Sequence, residues 1–351
     1  MFYGSQSIAL EHLPKVHGKP IFFGTYKASP SDFIVTEDLG FEPCGEGPHI
    51  WALIQKTSVS TDEAAIRLAS AAGVSRKDVG YAGKKDTFAQ ATQWMSFPET
   101  AKVCNGPIDA SVEILKLKRN MRKLKVGQLA GNYFRLRLNG DVVDGFDARV
   151  EAISRFGIPN YFGNQRFGRD GSNLHIARRL ARRDPEGQRR LHPREGMAAS
   201  AARSAGFNAI VARRILDSRL LEVVVNDVVI LSGRGSHFSV SEFDLRAIQN
   251  RVDAGELSPT APLAGRIKKT SVEQATMETE VLATDAELCG WMRGVFRDEE
   301  RRAVRVLPKQ LEAKVSGDII NLSFWLPKGC FATALLNELG VITEAYARTS
   351  S

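Results

Sequence analysis

Residues 132–138 read Asn132-Tyr133-Phe134-Arg135-Leu136-Arg137-Leu138. Successive side chains of a strand point to opposite faces. Phe134, Leu136 and Leu138 therefore share one face, and Tyr133, Arg135 and Arg137 share the other. This pattern predicts a half-buried strand. The same alternation recurs much later, in Ile320, Leu322, Phe324 and Leu326. Between the two, from about 160 to 305, helical and strand patterns mix. A second domain inserted into the first explains such an interruption.

Outward toward the N-terminus, strands are expected at Ile21-Phe22-Phe23, from Asp32 to Glu37, and at Ile50-Trp51-Ala52-Leu53-Ile54. The first 18 residues are weakly patterned and read as a loose arm. Ser60 stands three residues before Glu63, the spacing of a capping box. The alanine-rich segment after it ends at Gly73, which predicts a helix over 61–72. A short helical turn follows at 75–78. Residues 79–86, VGYAGKKD, read as a strand end running into a tight loop, because Gly80 and Gly83 permit unusual backbone angles. Residues 91–97 resume an extended pattern. Val112–Lys118 predicts a strand joined to 132–138 by the basic segment 116–125 (KLKRNMRKLK), a basic hairpin.

Beyond Asn160 the pattern changes. Ser172 reads as the cap of a helix with Leu174, Ala177, Leu180 and Ala181 on one face. Arg178, Arg179, Arg182 and Arg183 occupy the other. Residues 184–194 read as a loop, and turns are expected at Gly233-Arg234-Gly235 and around Pro259–Pro262. After the strand at 320–326, Pro327-Lys328-Gly329 turns the chain into a short helix from Cys330 to Leu339, stopped by Gly340.

The net charge of +8 and pI of about 9.3 favour a polyanionic partner. The four cysteines, Cys44, Cys104, Cys289 and Cys330, form no C-x-x-C pair, and no His or Cys set has zinc spacing. No metal is expected. Free thiols in a reducing cytoplasm are the simplest reading. No apolar run approaches the roughly 18 residues of a membrane helix. There is no G-x-x-x-x-G-K-[ST], H-E-x-x-H or G-x-S-x-G pattern. Gly233-Arg234-Gly235 lacks the third glycine of a dinucleotide fingerprint.

The 80–86 loop is the sharpest local feature. A carboxylate at its tip beside Lys84 and Lys85 stays ionised and can serve as nucleophile or base; read more plainly, the loop is a solvated turn. The arginine face of 178–183 either straddles phosphates or is simply hydrated. The basic segment carries the same two readings. Phe134 reads as core by pattern alone.

Read together, these segments resemble one family. Gly80-Tyr81-Ala82-Gly83-Lys84-Lys85-Asp86 with Gln93-Trp94 resembles the catalytic loop of the tRNA pseudouridine synthase D (TruD) family. Gly131-Asn132-Tyr133-Phe134 is similar to its second motif, and Asn160 through Gly168 (NYFGNQRFG) to its third and most distinctive one. Leu326 through Thr333 (LPKGCFAT) resembles the C-terminal motif, and Asp32-Phe33-Ile34-Val35 a short early one. Thr87-Phe88 and Tyr133 depart from the pattern, where more polar residues are usual.

The resemblance implies an α+β chain with the pseudouridine synthase catalytic fold, a mixed, mostly antiparallel sheet with flanking helices. It also implies an inserted family-specific α/β domain. The expected bounds are 1–157 and 309–351 for the catalytic domain and 158–308 for the insertion. The implied activity converts a uridine of tRNA, at position 13, to pseudouridine without a cofactor. Asp86 is the implied catalytic carboxylate and Phe134 the platform for the flipped base. Phe33 and Phe331 line the pocket, and Asn132 hydrogen-bonds base or sugar. The supporting cation is Lys27, with Lys84 and Lys85 as local alternatives. Lys123, Arg178, Arg179, Arg182 and Arg183 are expected at the RNA backbone, in a cytoplasmic monomer without an obligate protein partner.

Two rival readings follow from the same residues. One is a catalytically silent RNA-binding protein of this fold, against which the intact GKKD loop argues. The other is a methyltransferase, against which the lack of a glycine-rich cofactor loop argues.

Overall fold

The computed structural model describes residues 9–232, 235–265, 272–298 and 300–346. In chain order, the first strands are β1 (Phe22–Tyr26), β2 (Phe33–Asp38), β3 (His49–Thr57), β4 (Gly80–Tyr81), β5 (Gln90–Pro98), β6 (Gly106–Asp109), β7 (Val112–Asn120) and β8 (Gly131–Val142). Helix α1 (Thr61–Ala72) lies between β3 and β4. The middle of the chain carries α2 (Phe146–Phe156), β9 (Ile158–Pro159), α3 (Ser172–Arg183), α4 (Pro193–Leu216), β10 (Val228–Leu231) and β11 (His237–Ser239). It continues with α5 (Leu245–Asp253), β12 (Leu257–Leu263), α6 (Val272–Ala283), α7 (Ala286–Val295), β13 (Glu300–Ala303) and β14 (Arg305–Val306). Last come β15 (Lys309–Ser316), β16 (Ile319–Pro327), α8 (Ala332–Leu339) and β17 (Gly340–Glu344).

Two compact units result. One comprises Ile21–Val150, Pro308–Gly329 and Gly340–Ser351; the other comprises Met1–Pro20, Glu151–Leu307 and Cys330–Leu339. The expected bounds placed residues 9–20, 151–157 and 330–339 with the large sheet, whereas all three segments group with the other unit. The first and last of them join it because Leu10 and Leu13 share a core with Tyr161, Phe162 and Phe167, against which Phe331 packs. In addition, Glu338 of α8 accepts the amides of Val16 and His17.

The first unit is built on an 11-stranded sheet in which β8 is central. Along one side β8 pairs with β16 over nine residue positions, from Gly131↔Pro327 to Asn139↔Ile319. Along the other it pairs first with β2 and then with β1. Among the described residues only β2–β5 and β1–β17 are parallel pairs in this sheet, so it is mixed and mostly antiparallel. The alternation read in the sequence is kept: Phe134, Leu136 and Leu138 are buried with Leu322, Phe324 and Leu326 on the same face. Helix α1 covers β3 and β5 through Ala64, Ala65, Leu68 and Ala69. Ser60 Oγ accepts the Glu63 amide at its start, and Gly73 closes it in the left-handed conformation that glycine adopts without strain.

The basic hairpin does not exist. β7 lies between β3 and β6, and β8 lies elsewhere in the sheet. Val112 and Ile114 of β7 pack with the alanine face of α1, whereas the inward face of β8 matches that of β16. The connection between them is pinned across the sheet by buried Leu124, whose amide donates to Ser96 Oγ.

In the second unit α3 and α4 pack their apolar faces together beside α7. Ser172 opens α3 from inside its first turn; the residue before it, left-handed Gly171, makes no side-chain cap. Pro259 and Pro262 lie within β12 rather than in a turn. The strand survives because Pro259, which has no amide hydrogen, still offers its carbonyl to the Val304 amide. Gly233 and Arg234 lie outside the described residues. The four cysteines are unpaired.

Candidate active site

The loop after β4 is held by its own lysines and by the strands beneath it. A Cβ at Gly80 would overlap the Leu124 carbonyl oxygen, so this glycine answers close backbone approach. Gly83 accepts Gln93 Nε2 at 3.2 Å, and the Lys85 amide donates to Thr61 Oγ1 at 2.9 Å. Lys84 and Lys85 then part. Lys84 turns outward to Asp62 at 2.6 Å. That contact, with hydrogen bonds from Tyr81 and Arg76, holds the Asp62 carboxyl below its usual range. Lys85 turns inward and pairs with fully buried Glu37 at 2.5 Å, and Glu37 also accepts the Trp94 amide. Neither lysine is the ion-pair partner seen at Asp86.

That partner is Lys27. It stands where the chain leaves β1 and before it re-enters the sheet as β2, both strands pairing with β8. Its φ of 59° is a left-handed conformation that costs a non-glycine residue on the order of 1 kcal/mol. From there Nζ reaches 3.6 Å from Asp86 Oδ1 and 3.3 Å from Glu344 Oε1. Lys27 is buried, while the Asp86 side chain keeps 27% exposure, enough to meet a substrate. Tyr26 Oη donates to Glu344 at 2.7 Å. Burial and the Glu344 charge push the Tyr26 hydroxyl's pKa far above its ordinary value. Phe88, one of the departures noted in the sequence, stacks on Tyr346 with centroids 4.0 Å apart, which gives an apolar residue a place beside this loop.

From Asp86 the contacts run on without a gap. Lys27 Nζ lies 4.3 Å from the Phe33 ring centroid, Phe33 meets Phe134 edge-on at 6.2 Å, and Phe134 stacks on Phe324 at 5.2 Å. Asn132 lies on the same strand face as Phe134, two residues back, paired with Glu37 and Leu326. Its Oδ1 is buried without a hydrogen-bond partner among the described residues, an arrangement native structures rarely leave unexplained.

Phe331 belongs to the other unit. There it packs 5.7 Å from Phe162, whose ring is stacked beneath the Arg302 guanidinium at 4.2 Å. Asn208 clamps the Phe162 main chain through both its amide and its carbonyl. A Cβ at Gly163 would come within 2.6 Å of Thr333 Oγ1. The NYFGNQRFG segment thus builds the bed for the start of α8.

The arginine face of α3 is only half free. Arg178 pairs with Asp285 at 3.2 Å and Arg182 with Glu287 at 3.6 Å, both on or next to α7. Arg179 and Arg183 are exposed beside them. Lys123 donates to the Lys77 carbonyl at 2.6 Å, so its ammonium helps hold the connection before β8.

Three residues at the site were not singled out from the sequence: Glu344, Glu37 and Lys56. Glu344 gives no local signal. Lys56 and Glu37 do, since each falls on the inward parity of its strand, with Ala52 and Ile54 or with Phe33 and Val35.

These features define a carboxylate site in a large mixed sheet, a fold shared with known structures. A crystal structure of a Methanosarcina mazei protein assigned to tRNA pseudouridine synthase D (TruD) superposes with a TM-score of 0.67 at 21% identity, over 95% of both chains. The family description tRNA pseudouridine synthase D (TruD) matches residues 15–192 and 188–339. Proteins named tRNA pseudouridine synthase D from Aeromonas salmonicida and Aeromonas hydrophila are 41% and 40% identical, each over 96% of both chains. One from Chromohalobacter salexigens is 37% identical over 93% of this chain and 95% of its own. The chain belongs to the TruD family of pseudouridine synthases, enzymes of the isomerase class. Among the described residues no helix is long and apolar enough to cross a membrane.

Proposed function

We propose that the chain isomerises a uridine of tRNA, at position 13, to pseudouridine, with Asp86 as the catalytic carboxylate. The observation that carries this reading is the run of contacts from half-buried Asp86 through Lys27 and Phe33 to Phe134. The Lys27 ammonium beside Asp86 complements the negative charge that a carboxylate nucleophile or base carries. The reaction breaks the C1′–N1 bond, turns the base, and joins C1′ to C5. The C5 hydrogen then leaves and N1 gains one. Nothing is oxidised, and the same carboxylate serves attack at C1′ or proton removal at C2′.

The base must leave its stack, at about a few kcal/mol. Phe134, held by Phe324 behind and Phe33 at its edge, offers a rigid face that returns roughly 1–3 kcal/mol by stacking. Asn132 Oδ1, a buried acceptor without a partner among the described residues, suits the N3–H of the detached base. In this reading Phe33 lines the pocket beside Phe134. The family-specific insertion, residues 158–308, grips the tRNA backbone through the arginines of α3, while Lys123 serves the backbone from the large sheet. Mass-spectrometric mapping of pseudouridine in tRNA incubated with purified protein tests the whole. A protein that binds tRNA and leaves every uridine unchanged returns it to the silent RNA-binding reading.

A further inference from the structure

We propose that Lys56 is a positioning residue for Asp86, holding the aspartate's main chain in place from inside the sheet so that its carboxylate meets Lys27. The inference rests on the reading of Asp86 as catalytic. Lys56 is fully buried at the inward end of β3, one alternate position beyond Ile54. Its ammonium donates to the Asp86 carbonyl oxygen at 2.5 Å and to the Val59 carbonyl oxygen at 2.7 Å. Val59 immediately precedes the Ser60 cap of α1, and Asp86 lies in the loop between β4 and β5. One side chain therefore staples the entry and the exit of the excursion that carries α1 and the catalytic loop. It engages the main chain of Asp86, which leaves the carboxylate to Lys27.

Burying an ammonium is unfavourable unless its donors are used, and a methionine would fill the same volume. The lysine is therefore explained by what its protons hold. On the other side, Lys85 ties the residue before Asp86 to Glu37, so the aspartate is fixed through its own carbonyl and through its neighbour. The groups whose charges act on Lys56 are Asp86 and Lys85. Burial pushes the Lys56 ammonium down to about 8; the Lys85 charge adds to this, and the Asp86 charge opposes it. Its charge is thus lost as pH rises through about 8, where a charge-assisted hydrogen bond becomes an ordinary, weaker one.

The test is the single-turnover rate of pseudouridine formation on tRNA from pH 6.5 to 9, with tRNA affinity and thermal melting measured alongside. Lys56→Met should fold and bind tRNA within about twofold of the parent. Its rate at pH 7 should fall roughly 100-fold, the loss that follows a displacement of about 1 Å. The parent's rate should decline above about pH 8 and the variant's should stay level. Lys56→Arg, which keeps the charge, should recover part of the rate. A folded Lys56→Met with a rate within threefold of the parent, or with the parent's decline intact, overturns the proposal. Should Lys56→Met not fold, the parent's profile decides: a level rate from pH 7 to 9 overturns it, and a decline near 8 supports it. Asp86→Asn in the same assay separates the two claims. An active Asp86→Asn removes the underlying reading, whereas an inactive one beside a fully active Lys56→Met removes only this inference.

Discussion

Lys27 Nζ stands 3.6 Å from Asp86 Oδ1 and 3.3 Å from Glu344 Oε1, so one buried ammonium serves two carboxylates. The carboxylates come from the loop after β4 and from the last residue of β17, and the lysine from the break between β1 and β2. Substitution at each of these groups, and at the surfaces around them, has an outcome that can be measured.

Asp86→Asn should keep the fold and tRNA affinity and abolish pseudouridine formation. An amide fills the same space but cannot act as nucleophile or base at neutral pH. The loss should exceed the roughly 10²–10⁴-fold usual for general acid–base help. Tritium release from tRNA labelled at uridine C5 is the measurement, since that hydrogen leaves by any route. Release near the parental rate excludes Asp86 as the catalytic group.

Lys27→Met should lower the rate at pH 7 by roughly 10²-fold, in the range seen when a preorganised charge is removed. Lys27→Arg, which keeps the positive charge beside Asp86 and Glu344, should recover part of the rate, and thermal melting of both variants checks that the fold is kept. A Lys27→Met rate within about threefold of the parent's contradicts this.

Phe134→Ala should cost both stability and turnover, because the ring is buried between Phe33 and Phe324 and truncation leaves a cavity worth about 3–5 kcal/mol. Phe134→Leu separates the two roles. It should melt with a loss of only about 1 kcal/mol while turnover falls by the roughly 1–3 kcal/mol that stacking contributes. Unchanged turnover in the leucine variant makes Phe134 a core residue only.

Replacing Arg179 and Arg183 by glutamine should weaken tRNA binding and flatten its salt dependence, by about 0.7–0.9 in slope for each phosphate that is no longer neutralised. Melting should not change. Arg178→Gln should instead cost about 0.5–1 kcal/mol of stability and lower the melting temperature slightly, since the residue holds Asp285 at the start of α7. An unaltered salt slope in the double variant means that this exposed pair is merely hydrated.

Much of this was readable from residue order alone. Alternation placed Phe134, Leu136 and Leu138 on one face of a strand, and Ser60, Glu63 and Gly73 bounded α1 to the residue. Both signals are local, because strand and helix periods and cap geometry involve neighbours within a few positions. The loop sequence likewise offered Asp86 as a candidate.

The resemblance pointed to Lys27 as the cation at Asp86 and kept Lys84 and Lys85 as alternatives; the pairing itself is seen only in the tertiary structure. Lys84 and Lys85 are its nearest basic residues in sequence, yet they turn to opposite sides, one to Asp62 at the surface and one to Glu37 in the core. Lys27 arrives instead because β8 pairs with β1 and β2 in succession and leaves the intervening residue beside the loop. Glu344 arrives because β17 adds in parallel to β1. The same holds for the strand through Pro259 and Pro262 and for the absent hairpin at 116–125. Local pattern says which face of a segment is buried. Which segment covers that face is settled by apolar surfaces that match across long stretches of chain, and no short window of residues contains that information.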